Sequence, residues 1–414
     1  MQVLVFEDAG AERLGVLTAA RPACDLTIGA MTLVDALGHL GTVRRVVRPH
    51  LARHIAALGD RRMTLWGSTA ALPAPQPAAS THGAIAVAVN ACLVPSRANV
   101  LALRSLVEAG HRGIVRDGTA IAAAVLHLSA AGSGPDQLAW KQLIDAGSTD
   151  AIESLELAPL DCVLELLHEP HDVISAHEQA IAGSLAMLID TGRFREVRPG
   201  LFAAEGAAIA EHVVVRQGPV VVDSAAEIAP FVCLDGPVFI GRQARVNPHA
   251  WIRAATTIGS GCRAGGEIEA TVMEPFSNKP HDGFLGHSHL GSWVNIAAGT
   301  ITSNLKATYG PIRLHATLAD GGRETIHTGR QFLGAMIGDC AKTAINASIP
   351  CGARIGVAAT VGGMVPEAVP AFFNALIDSR STADQTATIL ERMMARRGLT
   401  LLPADRELLE DLAK

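Results

Sequence analysis

The chain has 414 residues, a formal net charge of −6 at pH 7, 49% hydrophobic residues and only 4% aromatic ones. That length allows two or three domains around aliphatic, alanine-rich cores, and the acidic balance argues against nucleic-acid binding, which wants a basic face. Seven scattered cysteines without a CxxC pair suit a reducing cytoplasm and no structural zinc, the N-terminus lacks the pattern of a signal peptide, and no stretch of about 18 apolar residues offers a membrane span.

Residues 1–200 alternate short aliphatic runs with helical patterns. The spacing predicts a strand over Val3–Phe6, a helix over Met31–Leu40, and strands at Val43–Val47, Met63–Trp66 and Ala84–Val89. A helix over Arg97–Ala109, strands at Gly113–Val115 and Ala120–Leu126, and helices over Gln137–Ile144 and Val173–Leu188 follow. Strands separated by helices indicate an α/β domain with a mostly parallel sheet. The prolines of Leu72–Ser80 mark an exposed loop.

From about residue 201 the period changes. Val222, Ile228, Leu234, Ile240, Val246, Ile252 and Ile258 are spaced by six, which fits neither a strand nor a helix. A period of six fits a left-handed parallel β-helix, a triangular coil that buries its core only by stacking turns. Glycines follow several inward residues (Gly241, Gly259, Gly286, Gly338, Gly356), and φ > 0 at tight corners is the expected reason. The period breaks at Glu274–Asp282, where two prolines predict a loop leaving the coil. It breaks again at Ser303–Tyr309 and resumes through Phe332, Ile337, Ile345 and Ile355. Thr382–Arg397 and Pro403–Leu412 read as amphipathic helices, a cap for an open coil end. The expected organisation is an α/β domain over 1–200, the coil over 201–375 and a helical tail over 376–414.

Pockets belong where a stiff scaffold becomes irregular, and both breaks are polar. The first holds Asn278, Lys279, His281 and Asp282; the second holds Ser303, Asn304, Lys306 and Tyr309. Acyl transfer to an amine needs a base for the incoming ammonium, and a neutral histidine suits that task. His281 is the candidate, with Asp282 to orient it or touch substrate; the alternative is a histidine on a solvated loop. His287 and His289 resemble a metal pair, but no third ligand is evident and no metal is expected.

The segment His281–Gly286 through Asn295-Ile-Ala-Ala-Gly-Thr-Ile-Thr-Ser-Asn304 resembles the acetyltransferase half of the bifunctional glucosamine-1-phosphate acetyltransferase/N-acetylglucosamine-1-phosphate uridyltransferase family. The resemblance implies that His281 is the general base and that Asn295 and Asn304 lie in the sugar and acetyl-CoA site. Phe284 stands where the family has a tyrosine near the sugar phosphate. Arg253, Lys279 and Lys306 are looser matches to the phosphate-holding basic residues. A variant branch is closer, through Arg21-Pro22…Asp25-Leu26…Gly29…Thr32-Leu33 and Ser277-Asn278-Lys279…His281-Asp282-Gly283-Phe284-Leu285-Gly286. The likeness covers roughly residues 1–375.

The first domain departs from the family. Its glycine-rich phosphate loop is replaced by Val5-Phe6-Glu7-Asp8-Ala9-Gly10, and Asn90 ends the strand where a Mg2+-binding aspartate is usual. Arg21, Asp25, Thr32, Asn90 and Asp172, with His177 nearby, could build a substitute nucleotide or sugar site. The bland reading is that Arg21 pairs with Asp25, Thr32 caps a helix and Asp172 or His177 is a capping residue.

Three functions remain open on sequence alone. The first is an acetyl-CoA-dependent N-acetyltransferase on a sugar phosphate in nucleotide-sugar biosynthesis, with nucleotidyl transfer from UTP and Mg2+ if the first domain is active. The second is a sugar-1-phosphate nucleotidyltransferase with a structural coil. The third is a non-catalytic sugar-nucleotide-binding scaffold. The resemblance further implies a homotrimer with acetyl-CoA lying between coils.

Overall fold

The computed structural model describes residues 2–38, 40–58, 84–129, 132–317 and 323–414. The strand expected at Met63–Trp66 and the proline-rich loop of 72–80 lie outside the described residues.

In the first unit, β1 (Gln2–Phe6), β2 (Thr42–Val46), β3 (Ala84–Asn90), β4 (Gly113–Asp117) and β5 (Ala120–Leu128) form one sheet in the order β2-β1-β3-β5-β4. Val3 and Val5 enter one hydrophobic cluster while Leu4 and Phe6 enter another on the opposite face, which is why β1 reads as an unbroken apolar run. The helices Arg97–Ala109 and Asp172–Asp190 supply the first cluster, and Pro135–Ala146 supplies the second. The sheet is mixed rather than mostly parallel. β1 runs parallel to β2 and β3, but β5 is antiparallel to both β3 and β4. The reason is local: a two-residue connection with Gly118 at φ +59° folds β4 straight back into β5.

The coil is a left-handed parallel β-helix with three faces. All seven inward residues of the hexad series are at most 2% exposed. Val222 pairs with Ile240 and Ile240 with Ile258, so one full turn takes 18 residues. The next turn is shorter, since Ile258 pairs with Met273, 15 residues on. The turn after it, from Met273 to Leu290, contains the first break, and the expected loop does not form. Asn278–Lys279 pairs with Arg263–Ala264, and Phe284–Gly286 pairs with Glu267–Glu269. Pro275 and Pro280 flank that short strand, so neither has to donate to the ladder.

The corner glycines work differently from expectation. Gly241, Gly259, Gly338 and Gly356 do not have positive φ; that conformation falls two residues later, at Gln243, Gly261, Cys340 and Ala358. The glycines are required by close approach of the next turn. A Cβ on Gly259 would lie 2.4 Å from the Met273 carbonyl oxygen, and one on Gly356 would lie 2.3 Å from the Ala371 nitrogen.

The second break is a true excursion. Leu290 pairs with Ile337, 47 residues on, and the intervening chain carries an antiparallel pair, Arg313–Thr317 with Arg323–His327. Ile312 and Leu314 of this excursion enter the core of the first unit. When the coil resumes, Ile337, Ile349 and Ile355 point inward. Phe332 and Ile345 do not; they are 40% and 67% exposed, so the hexad register assigned to them was out of phase.

Two helices, Ala383–Ala395 and Pro403–Ala413, complete the chain. Their apolar faces pack on residues at successive coil corners, Phe276, Trp293, Cys340, Ala358 and Phe372. They therefore run along an edge of the coil rather than closing its open end. Asp405 meets His54 of the first unit at 2.8 Å, so the tail ties coil and α/β unit together.

Candidate active site

The coil places its chemistry by register. Outward positions on one face stack as Trp251, Glu267 and Phe284. Next to them lie Arg253, Glu269 and Gly286, and then the corner residue His287. Gly286 leaves a gap in this row of side chains. The Phe284 ring lies over it and the Asn304 amide beside it: a Cβ on Gly286 would be 2.4 Å from the ring and 2.9 Å from Asn304 Nδ2.

Asn304 Nδ2 donates to His287 Nδ1 at 2.9 Å. That bond assigns the ring proton to Nε2, which faces Glu178 Oε1 at 3.4 Å. The ring also stacks on Phe332, with centroids 5.3 Å apart. Burial, then the charges of Arg330 and Arg253, push the imidazole down to about 4, so it is neutral near pH 7. Glu178 is held by Arg330 Nη2 at 2.5 Å. Glu178 belongs to the helix Asp172–Asp190 and Arg330 to the excursion, so three segments distant in sequence converge on this ring. Sequence reasoning missed His287 as a site residue. Its adjacency to Leu285-Gly286 was the available signal.

His281 sits at the other end of the strand Phe284–Gly286, on a corner, exposed beside exposed Asp282. Its ring makes no hydrogen bond among the described residues. The corner is held by backbone: Gly299 N donates to Asp282 O at 3.0 Å, and Lys279 Nζ donates to His281 O at 2.9 Å and Gly265 O at 2.8 Å. Lys279 is only 1% exposed, and burial pulls its ammonium down to about 8. It is therefore a buried staple under His281 rather than a solvent-facing phosphate ligand.

The remaining coil candidates divide. Arg253 Nη1 pairs with Glu267 at 2.9 Å and Glu269 at 2.7 Å, over the Trp251 ring. Lys306 Nζ donates to the Pro311 carbonyl at 3.3 Å. Asn295 lies on a different face from Asn304, with its backbone bridged to Asn278 and Lys342.

In the first unit, Arg21, Asp25 and Thr32 line one cavity of about 410 Å³, together with Glu274 and Asp339 of the coil and Leu390 and Leu409 of the tail. Their polar groups are already engaged. Arg21 is buried in ion pairs with Asp339 and, at 3.2 Å, with Glu274. Asp25 pairs with Arg45 at 3.1 Å, so the expected Arg21–Asp25 salt bridge is replaced by partners outside their own segment. Thr32 forms a capping box with Asp35. Asp172 accepts from the backbone of His168 and Glu169 at the start of its helix. Asn90 is fully buried, donating to Asp8 at 2.8 Å and to the Ile121 carbonyl at 3.0 Å. His177 links Gly29 N to the Ala255 carbonyl of the coil, and burial pushes it down to about 4.

One carboxylate, Asp8, and one amide, Asn90, are a poor set for Mg2+, which wants carboxylates and phosphate oxygens. Among the described residues no group of three His, Cys, Asp or Glu could hold a metal ion, and no helix is long and apolar enough to cross a membrane.

Comparison with known proteins fits this two-part architecture. Residues 3–192 match the family model described as sugar nucleotidyl transferase. The chain is 40% identical over 76 residues to the bifunctional protein GlmU of Rippkaea orientalis, an overlap of 18% of this chain and 16% of that protein. It is 34% identical over 95 residues to the bifunctional sugar-1-phosphate nucleotidylyltransferase/acetyltransferase of Sulfurisphaera tokodaii (23% and 22% covered). It is 31% identical over 137 residues to GlmU of Synechococcus elongatus (32% and 25% covered). The chain thus matches at most about a quarter of the length of these curated relatives. Among solved structures, the UDP-N-acetylglucosamine acyltransferase of Francisella novicida aligns at 17% identity and TM-score 0.23, covering 48% of this chain and 72% of that one. A mutant perosamine N-acetyltransferase of Caulobacter crescentus aligns at 12% and 0.23, covering 92% and 96%. These two TM-scores are too low to add to the fold assignment. Sequence and fold define a class in which a sugar nucleotidyl transferase-type unit precedes a β-helix. Within that class, residues 3–192 carry the sugar nucleotidyl transferase pattern, and shorter segments of the chain are similar to bifunctional GlmU proteins.

Proposed function

We propose that the coil is an acetyl-CoA-dependent N-acetyltransferase whose acceptor is the amine of a sugar phosphate of the glucosamine-1-phosphate type. The observation that carries this reading is the set of residues at the ends of one short strand. An unengaged imidazole, His281, stands at one end. At the other, the Asn304 amide and the Phe284 ring flank Gly286. In the reaction, neutral His281 takes a proton from the acceptor ammonium, and the freed amine attacks the thioester carbonyl. The C–S bond then breaks, and coenzyme A leaves as the thiol after accepting a proton. Asn304 Nδ2 supplies a hydrogen bond to the sugar or to the acyl oxygen as it gains charge. Asp282 and Arg253 lie beside this strand, and Asn295 lies on the adjoining face.

His281 and Asp282 face outward, which supports completion of the site by a neighbouring coil in a homotrimer. Sedimentation should show a trimer, and a stable monomer would contradict the shared site. The engaged state of Arg21, Asp25 and Thr32, and the absence of the glycine-rich loop from the sequence, favour a supporting rather than catalytic role for the first unit. On this reading neither UTP nor Mg2+ is required. The test is release of free thiol from acetyl-CoA in the presence of glucosamine-1-phosphate, alongside calorimetry of acetyl-CoA binding. Turnover with binding supports the proposal. Absence of both favours a scaffold, and pyrophosphate release from UTP plus a sugar phosphate favours a nucleotidyltransferase.

A further inference from the structure

One face of the coil gathers arginines, most of them without a carboxylate partner among the described residues. Arg245 and Arg263 are register partners on adjacent strands, and Arg263 is in turn opposite Asn278. Successive strands lie about 4.8 Å apart, so these side chains form a continuous column. The tail adds a third guanidinium, for Arg397 Nη2 donates to Asn278 Oδ1 at 2.7 Å. Arg245 has one carboxylate partner, Glu227 at 2.9 Å, with both side chains about half exposed. Neither Arg263 nor Arg397 makes an ion pair among the described residues. Arg263 donates only to the carbonyls of Gln243 and Cys262.

Positive charges gathered this way repel one another. Burial, then Arg397 and Arg245, pull the Arg263 guanidinium down to about 10, and Arg397 is lowered by burial and by Arg396 and Arg245. A fold that needed only tail docking could use an apolar or carboxylate residue at 397. Guanidinium forks are suited to phosphate oxygens, which they bind bidentately.

We propose that Arg263 and Arg397, with Arg245 and the Asn278 amide, form a binding site for a phosphate or diphosphate group. The column continues through the backbone bridge from Asn278 to Asn295, on the face that adjoins the Phe284–Gly286 strand across the corner carrying His281. The phosphate therefore belongs to one of the two substrates, the sugar phosphate or coenzyme A, and to that extent the inference rests on the proposed acetyl transfer. The tail then has a functional contribution as well as a packing one.

The experiment is calorimetric titration of the full chain with inorganic pyrophosphate, coenzyme A and glucosamine-1-phosphate separately. The site predicts pyrophosphate binding that weakens at least about tenfold in R263Q and in R397Q, the loss expected when a charge-assisted pair is removed. Whichever of the other two ligands weakens in parallel is the source of the phosphate. R397E guards against misfolding: its carboxylate can pair with Arg263, so the melting temperature should hold while pyrophosphate binding disappears. H281A should bind pyrophosphate as the parent does, so failure of the acetyl-transfer reading leaves this result independently legible. Equal pyrophosphate affinity in parent, R263Q and R397Q overturns the site. So does a change of sedimentation state in these variants with no phosphate binding by the parent, which would make the cluster a protein contact.

Discussion

The Asn304 amide donates to His287 Nδ1 at 2.9 Å, joining the second break of the coil to the turn beneath it. One hydrogen bond thus fixes both the direction of the amide and the tautomer of the ring. N304A should keep the fold, because the side chain lies at the edge of the core, yet lose about 10²-fold in acetyl-transfer rate, the scale of a lost oxyanion-type donor. Thiol-release kinetics check this, with the melting temperature as the control.

His287 should behave as a positioning residue. In H287A the base remains but Asn304 and Glu178 lose their common partner. The expected result is a smaller fall in kcat than in H281A, with a raised KM for the acceptor. H287N should restore part of the loss if its amide can still meet Asn304.

Gly286→Ala probes the gap directly. The added methyl would meet the Phe284 ring at 2.4 Å and Asn304 at 2.9 Å. The neighbouring strand pairing is unaffected, so the chain should fold while the acceptor KM rises severalfold.

Arg21 belongs to a different balance. It is buried between Glu274 and Asp339, both coil residues and both buried. R21A leaves two buried carboxylates without their cation, which typically costs about 3–5 kcal/mol. Urea unfolding should show a clear drop in midpoint, and any loss of activity should follow the loss of folded protein. A fully folded R21A that had lost only a nucleotide-dependent activity would instead mark Arg21 as a ligand residue.

Stability should also depend on pH through His177. Its folded value lies near 4 against an ordinary 6.5, so it is buried neutral. The unfolded chain therefore binds a proton that the folded chain refuses. Its contribution is complete above about pH 6.5, falls as pH drops toward 4, and is exhausted below that, at on the order of 1.4 kcal/mol per pH unit. Glu274, raised by burial, works in the opposite sense, so the comparison must be with H177Q. The parent minus H177Q difference in unfolding free energy should shrink between pH 6.5 and 4. A difference independent of pH would contradict this account.

Much of the fold was legible because a six-residue repeat has few structural solutions. Every knob from Val222 to Ile258 is buried as read. The first break misled because Pro275 and Pro280 occupy positions flanking a ladder strand, where no donor is missed. Ile345 misled because the 47-residue excursion reset the register. His281 and Asn304 were singled out through local motifs, and their roles are part of the proposal. Arg21, Glu274 and Asp339 were not, since their meeting depends on the α/β unit folding back onto the coil. His287 was half legible: it was noticed for its spacing from His289, but its partner Glu178, and the Arg330 that holds Glu178, lie 109 residues before and 43 residues after it.

The central claim is that the ring of His281 deprotonates the acceptor amine. The most direct measurement is the initial rate of thiol release from acetyl-CoA with saturating glucosamine-1-phosphate, comparing the parent with a folded H281A. The account predicts a fall of about 10²–10⁴-fold with acetyl-CoA affinity retained. An unchanged rate in H281A would contradict it.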